Sequence, residues 1–357
     1  MIREEFRTAT KWTVVLLTGA FVLLILSALV APDSVAGAVL DALFDTGYAS
    51  AVLRVSVPIT FAAMGGIFAE RTGVINIGIE GFLIISALSS VIAVVSLTGA
   101  GVDPTVALWV AFLVGILASV ATAGIFAVFV IRFRSNQVIA GLAIWLIALG
   151  LAPFVSLVVF ESVNSPSVGT FGTWRIPVLA ELPVVGSVLF DASPMVYLML
   201  VTVPLCWYVL KFTRLGRYIR ACGDNPRALD TAGISVSRIR YVGILLSGVL
   251  CGIGGAGFTL GQLGRFVGSG ETSIGGRGFL GIVAYLFGNY NPIASFGGAL
   301  LFASFDALQF RLQEIPMLDV SPRLFQALPF IVVILVLMFV GRTRIPAALG
   351  NHYKKDE

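Results

Sequence analysis

Glu70-Arg71-Thr72-Gly73-Val74-Ile75-Asn76-Ile77-Gly78-Ile79-Glu80-Gly81 sets two carboxylates, a guanidinium, an amide and three glycines between two long apolar runs. In residues 49–69 before it the only charge is Arg54, and residues 82–97 after it carry none. A charge at mid-bilayer costs about 2.5–3.5 kcal/mol on insertion scales. A chain keeps such a cluster only where the groups meet a partner, a cavity or the water interface. The stretch therefore reads as the junction of two membrane-crossing helices and as a candidate functional segment.

The rest of the chain extends that reading. It has 357 residues, 58% hydrophobic and 12% charged, with mean hydropathy +0.99. Soluble domains carry roughly 25% charged residues. Apolar runs near the spanning length occur at 12–30, 49–69, 75–97, 105–131, 137–159, 194–211, 240–260, 270–288, 293–311 and 323–340. Backbone groups in lipid need internal partners, so these runs are expected to be helices. The alternation of a β-barrel strand is absent from Trp12 to Val30. The expected fold is an all-α polytopic membrane protein of about ten transmembrane helices.

Charge orients the bundle. With the N-terminus inside, the inner segments 132–136, 212–239 and 341–357 hold Arg132, Arg134, Arg214, Arg217, Arg220, Arg227, Arg238, Arg342, Arg344, Lys354 and Lys355. The outer segments hold Arg175, Arg265 and, at an edge, Arg311. This bias puts both termini in the cytoplasm. The N-terminal run of about 19 residues exceeds a signal-peptide core and is expected to be an uncleaved anchor. Ten spans divide into five plus five, and an odd number per half inverts the second half, as in many transporters. One transmembrane domain over 1–357 is expected. Its first half is about 1–160 and its second about 194–345, with an outer loop at 160–193 and a basic inner loop at 212–239. Arg71-Thr72-Gly73 before the third span and Gly275-Gly276-Arg277-Gly278 near the eighth are weak echoes of one another.

Several chemistries fall away. None of the four lysines sits in a phosphate-binding Gly-x-x-x-x-Gly-Lys-[Ser/Thr] loop. The single histidine, His352, lies in the C-terminal tail, and Cys206, Cys222 and Cys251 are unclustered. Catalytic residues and a metal site are therefore not expected. The net charge of +4 follows membrane topology and does not mark a nucleic-acid binder. Energy must come from an ion gradient or from another polypeptide. For an ion-coupled carrier, Asp306 and Glu80 are the main candidate acids, although Asp306 can equally pair within the bundle. The glycine-dense stretch 268–281, with Glu271 and Arg277, is expected to be irregular and to face the pathway. Asn76 and Glu80, four apart, share a helix face. Asn76 is a candidate for a ribose or base edge, and Glu80 for a pair with Arg71 or with another helix. Packing at a helix break is the competing reading for both. Asn136-Gln137 and Asn289 to Asn291 are expected to cap helices at inner ends.

Within the inner loop, Asp224-Asn225 is expected to cap a short helix, Pro226 to open it and Gly233 to end it, leaving Ala228 and Ala232 on a small-residue face. That face suits a groove on a partner. Arg227 would meet an acid there or serve only as a topology charge.

Gly223-x-Asn225-Pro226-x-Ala228-x-x-x-Ala232-Gly233-Ile234 resembles the coupling helix of ABC importer permeases of the branched-chain amino acid, ribose and nucleoside superfamily. The 70–81 stretch is similar to the subgroup serving nucleosides and simple sugars, as are Gly276-Arg277-Gly278-Phe279, Phe287-Gly288-Asn289-Tyr290-Asn291-Pro292 and Asp306 to Gln313. The resemblance runs from about residue 50 to Arg344-Ile345-Pro346-Ala347-Ala348-Leu349-Gly350. It implies a permease subunit that binds no cofactor itself. ATP and Mg would be handled by two ATPase subunits, or one fused tandem ATPase, docked on 223–234. A second permease and an extracytoplasmic solute-binding lipoprotein would complete the transporter.

Overall fold

The computed structural model describes residues 40, 41, 43, 45–183, 185–269, 273–313, 327–339 and 343–354. The expected first span, its anchor role and Glu271 lie outside these residues, as do both flanks of the expected span 323–340. The described chain is mostly helical. Seven helices are long and apolar enough to cross a membrane.

Helix α1 (Thr46–Glu70) has 25 residues, about 37 Å at 1.5 Å per residue. Helix α2 (Ile79–Gly99) follows after an eight-residue turn. Helix α3 (Pro104–Ala127) is capped by the Asp103 side chain, which accepts from the Thr105 and Val106 amides, with Pro104 in the first turn. A π-helical turn, Val128–Arg132, extends it. Helix α4 (Gln137–Phe160) is capped by Asn136 as expected. Helix α5 (Pro194–Phe212) starts on a Ser193 cap. Two shorter helices, α6 (Arg214–Asp224) and α7 (Pro226–Thr231), precede α8 (Val236–Phe258). A π turn, Thr259–Leu263, ends α8. Helices α9 (Arg277–Phe287), α10 (Pro292–Gln313) and α11 (Leu328–Phe339) complete the described bundle.

Helices α1 and α8 form the centre. They run antiparallel, because Gly243 lies against Phe68 and Thr72 while Gly254 lies against Phe61 and Pro58. Small residues make that approach possible. A Cβ on Gly65 would sit 2.9 Å from the Cys251 sulfur, and one on Gly254 would sit 2.9 Å from the Phe61 Cβ. Around this pair the packing is reciprocal: α8 packs on α2 and α3, and α1 packs on α9 and α10. The perimeter is apolar instead of polar. Leu113, Leu117, Ile139, Leu146, Phe154, Val201 and Leu205 are exposed, which is the arrangement of a lipid-facing surface.

Two expected spans differ from the structure in an informative way. In the run 270–288, the described residues 273–276 form turns and helix begins at Arg277; α9 has 11 residues, about 16 Å, half of a bilayer core. Gly275 and Gly276 take φ of +58° and +79°, which stops the helix from extending backwards. Likewise 75–97 becomes helical only at Ile79. Hydropathy reports burial, and Asn76, Gly78, Ser273 and Ile274 in these irregular segments are buried, so an apolar window overestimates helix there. The loop 160–193 is structured: Trp174–Arg175 pairs antiparallel with Asp191–Ala192, and a short helix covers Val185–Leu189. The loop also runs along the end of α8, through Ser165 N–H to Phe266 O at 3.0 Å and Val168 N–H to Gly264 O at 2.8 Å.

Candidate functional site

The segment 70–81 folds as a turn whose polar groups point at other helices. Gly73, at φ +87°, reverses the chain after α1. Asn76 is fully buried. Its Oδ1 accepts from the Gly78 amide at 3.1 Å and its Nδ2 donates to Ser247 Oγ at 3.2 Å, so it shapes the start of α2 and ties it to α8. Gln137, at the start of α4, accepts from the Ile75 amide at 2.8 Å. Glu80 reaches α9: the Gly276 amide donates to Oε1 at 2.9 Å and the Gly278 amide to Oε2 at 2.6 Å. One carboxylate thus sits in the first turn of α2 and caps α9 as well, where both helix dipoles favour negative charge. Of the two pairings open to it in the sequence, the structure shows the one with another helix. Glu70 accepts from the Tyr290 hydroxyl at 2.7 Å, just past the other end of α9. Asn289 and Tyr290 both adopt left-handed φ, +51° and +57°, a strained pair for non-glycine residues. Burial and the neighbouring Glu70 push the Tyr290 hydroxyl pKa up.

Next to the α9 N-terminus lies a cavity of about 690 Å³, at the end of the bundle remote from α6 and α7. Arg54, Gln262, Arg277, Asp306, Gln309 and Phe330 are among its walls. Arg277 Nη2 and Asp306 Oδ2 form an ion pair of 2.8 Å, and Gln309 Nε2 donates to Asp306 Oδ1 at 2.5 Å. The Arg277 guanidinium also stacks over Phe258, 4.8 Å from the ring centre. Gln262 Oε1 and Gln309 Oε1 are buried without a hydrogen-bond partner among the described residues. The wall also includes Arg311, so it sets Arg54, Arg277 and Arg311 against the carboxylate of Asp306, with Arg311 met by Asp45 at 2.8 Å; the amides of Gln262 and Gln309 add polar groups to it. Arg277 and Asp306 therefore line this cavity together, whereas Asn76 and Glu80 stand behind it. Gln262, Gln309 and Arg54 are not among the pathway residues expected from the sequence. Gln262 sits on a π turn, a local irregularity that apolar periodicity does not reveal.

At the opposite end, the capping read from the sequence is present. Asn225 Oδ1 accepts from the Ala228 amide at 3.1 Å, Pro226 opens α7, and Gly233 takes φ +79° beyond its end. Asp224 is the last residue of α6 instead of a cap, and Ala232 closes α7 from outside. Arg227, Ala228, Thr231 and Ala232 are exposed, while Leu229 is buried. Helix α6 is amphipathic, burying Gly216, Ile219, Cys222 and Gly223. Gly223 packs on the main chain of Arg71, so closely that a Cβ there would collide with the Arg71 carbonyl oxygen. Cys222 Sγ donates to Thr72 O at 3.3 Å, and burial pushes its thiol pKa up to about 11. Burial lowers the pKa of Arg71, against the opposing pull of Asp224. The C-terminal tail closes this layer. Ala348 N–H donates to Gly223 O at 2.8 Å, Gly350 N–H to Gly73 O at 3.0 Å, and Tyr353 to Asp230 at 3.0 Å. No sequence period marks the tail as structured; only its resemblance to the family's terminal Ile-Pro-Ala pattern points to it.

Residues 48–337 match the family described as branched-chain amino acid transport system / permease component. The chain is 36% identical over 309 residues to the nucleoside ABC transporter permease protein NupC of Lactococcus lactis subsp. cremoris (strain MG1363), covering 86% of this chain and 96% of that protein. It is 33% identical over 313 residues to the guanosine ABC transporter permease protein NupQ of Bacillus subtilis (strain 168), covering 86% and 96%. A second Lactococcus lactis protein, the nucleoside ABC transporter permease protein NupB, is 38% identical over 91 residues, 26% of this chain and 24% of that one. With seven helices among the described residues long and apolar enough to cross a membrane, and a match over most of its length, the chain is a multi-pass membrane protein that belongs to the ABC transporter permease family of the branched-chain amino acid transport type.

Proposed function

We propose that this chain is the membrane-spanning subunit of an ATP-driven importer that takes nucleosides, or a simple sugar, from a solute-binding protein into the cytoplasm by alternating access. The carrying observation is the full-length similarity to permeases named for nucleosides and guanosine. The cavity chemistry agrees with it. A nucleoside is neutral and rich in hydrogen-bonding groups, and the wall offers an internally paired Arg277–Asp306 with the amides of Gln262 and Gln309. Pathway roles go to Arg277 and Asp306 directly and to Asn76 and Glu80 through the helix ends they hold.

ATP and Mg belong to ATPase subunits, two of them or one fused pair, that dock on Gly223, Asp224, Asn225, Pro226, Arg227, Ala228, Ala232 and Gly233. The exposed small-residue side of α7 supports this placement. The permease itself hydrolyses nothing. Its N- and C-termini face the cytoplasm, and about ten helices form a five-plus-five inverted repeat. The antiparallel α1–α8 pair and the reciprocal packing around it support the repeat. A second, different permease completes the channel. Two nucleoside permeases from one Lactococcus strain are similar to this chain, which favours a heterodimer. An ion-coupled carrier is the weaker reading, because Asp306 is engaged by Arg277 and Gln309, and Glu80 by two amides.

The test is competition uptake. Cells expressing the complete transporter should accumulate labelled nucleoside in a way that depends on this gene and survives an uncoupler while ATP is maintained. Uptake that collapses with the uncoupler at constant ATP contradicts ATP coupling.

A further inference from the structure

We infer that Glu70 and Glu80 form a two-ended clamp on the half-helix α9, and that through this clamp a movement of the α6–α7 docking face is passed to the solute cavity. The inference rests on the proposed docking of ATPase subunits at that face. Glu70 and Glu80 thereby act as positioning residues and not as solute contacts.

Three sets of contacts carry it. First, the docking face rests on the segment: Gly223 lies against the Arg71 carbonyl, and Cys222 bonds to Thr72 O at 3.3 Å. Second, the segment holds α9 at both ends. Glu80 takes the Gly276 and Gly278 amides at the N-terminus. Glu70 takes the Tyr290 hydroxyl beyond the C-terminus, where Tyr290 also packs on Tyr285 of α9, with ring centres 5.4 Å apart. Third, the first residue of α9 is Arg277, whose guanidinium is paired with Asp306 in the cavity wall. Any displacement of α9 therefore changes the Arg277–Asp306 edge of the cavity.

The fit at Gly278 shows how close the hold is. A Cβ there would meet the Glu80 Cα at 2.8 Å and its backbone nitrogen at 2.9 Å. A half-helix is short enough to move as a rigid rod. The strained Asn289–Tyr290 turn gives it a bend held by the Glu70 bond, by the Arg344 amide donating to Asn289 Oδ1 at 2.8 Å and by the Arg71 guanidinium over the Tyr290 ring. Both Glu80 oxygens accept from N–H groups, so an amide in its place would set a donor against a donor.

The experiment uses the complete transporter in proteoliposomes, with its binding protein, and reads nucleoside moved per ATP hydrolysed. Variants Glu80→Gln and Tyr290→Phe are compared singly and together. Tyr290→Phe keeps the ring and removes only the hydroxyl, so it tests the clamp even where Glu80→Gln lowers assembly. Each single variant is expected to lower the transport-to-ATP ratio about fivefold or more, the low end for coupling between sites. The double variant should be no worse than the more severe single one, since either release frees the same rod. A merely structural role lowers assembled complex and both activities together, leaving the ratio intact, and that result overturns the inference. So do single effects that multiply in the double variant. If the wild-type complex forms without contact between the ATPase and α7, the docking reading fails separately, whatever the variants do.

Discussion

At the residue scale, the fold depends on positions where one atom more cannot be fitted. Gly278→Ala places its Cβ against Glu80 main chain, and overpacking of this kind costs about 1–3 kcal/mol. Gly297, where an added Cβ would meet nothing within 4 Å, is the matched control. Heating purified protein in detergent should show Gly278→Ala melting well below Gly297→Ala; equal melting would mean that α9 and α2 are not in contact as described. The Arg277–Asp306 pair gives a second test. Both residues are buried, and removing one partner of a buried pair costs about 3–5 kcal/mol, whereas replacing both by apolar groups can be neutral. Asp306→Ala should therefore be less stable than the Asp306→Ala/Arg277→Met double variant, and the reverse order would argue against the pair. Cys222 is a third case. With its thiol pushed up to about 11 by burial, it stays protonated in the folded protein well above pH 8. The thiolate, not the thiol, attacks alkylating reagents. Since Cys206 and Cys251 are buried as well, maleimide labelling at pH 8 should be slow until the protein is unfolded. Rapid labelling of native protein would contradict the packing of α6 on Thr72.

At the element scale, α7, the proposed docking helix, is the most readable part of the sequence. Asn225, Pro226 and Gly233 are local signals, each satisfied within a few residues, and all three act as their chemistry requires. Asn225→Ala should loosen α7 by about 1 kcal/mol and weaken recovery of the complex with its ATPase, measured by co-purification at matched membrane levels. Arg227→Glu should block uptake while insertion is unchanged; wild-type uptake with wild-type co-purification would remove Arg227 from the docking surface. The long apolar helices are readable for a similar reason, since hydropathy measures burial in lipid or protein. The partners of Glu70 and Glu80 are not. Their contacts lie 220 and 196–198 residues away in the chain, and no local pattern encodes a pairing at that distance. Gln262 and Gln309 are silent in the sequence because an amide within an apolar run resembles a packing residue until the cavity beside it is seen. Helix α6 is masked by its charged residues, which suggest only a loop, although Gly216, Ile219, Cys222 and Gly223 mark a buried face.

At the scale of the whole molecule, α1 and α8 pair antiparallel, with a cavity toward one end and the proposed docking layer toward the other. The layer is held together by the C-terminal tail on Gly223 and Gly73. The proposed mechanism needs a link of this kind, because the proposed docking face and the cavity lie toward opposite ends of the bundle. The proposed nucleoside cargo rests on the similarity to permeases of nucleoside transporters. The most direct measurement is uptake of labelled adenosine, guanosine, uridine and ribose by cells carrying the complete transporter, with and without this gene. Gene-dependent uptake of a nucleoside, displaced by other nucleosides, is the expected result. Gene-independent nucleoside uptake, together with gene-dependent uptake of an unrelated solute, would contradict the proposed function.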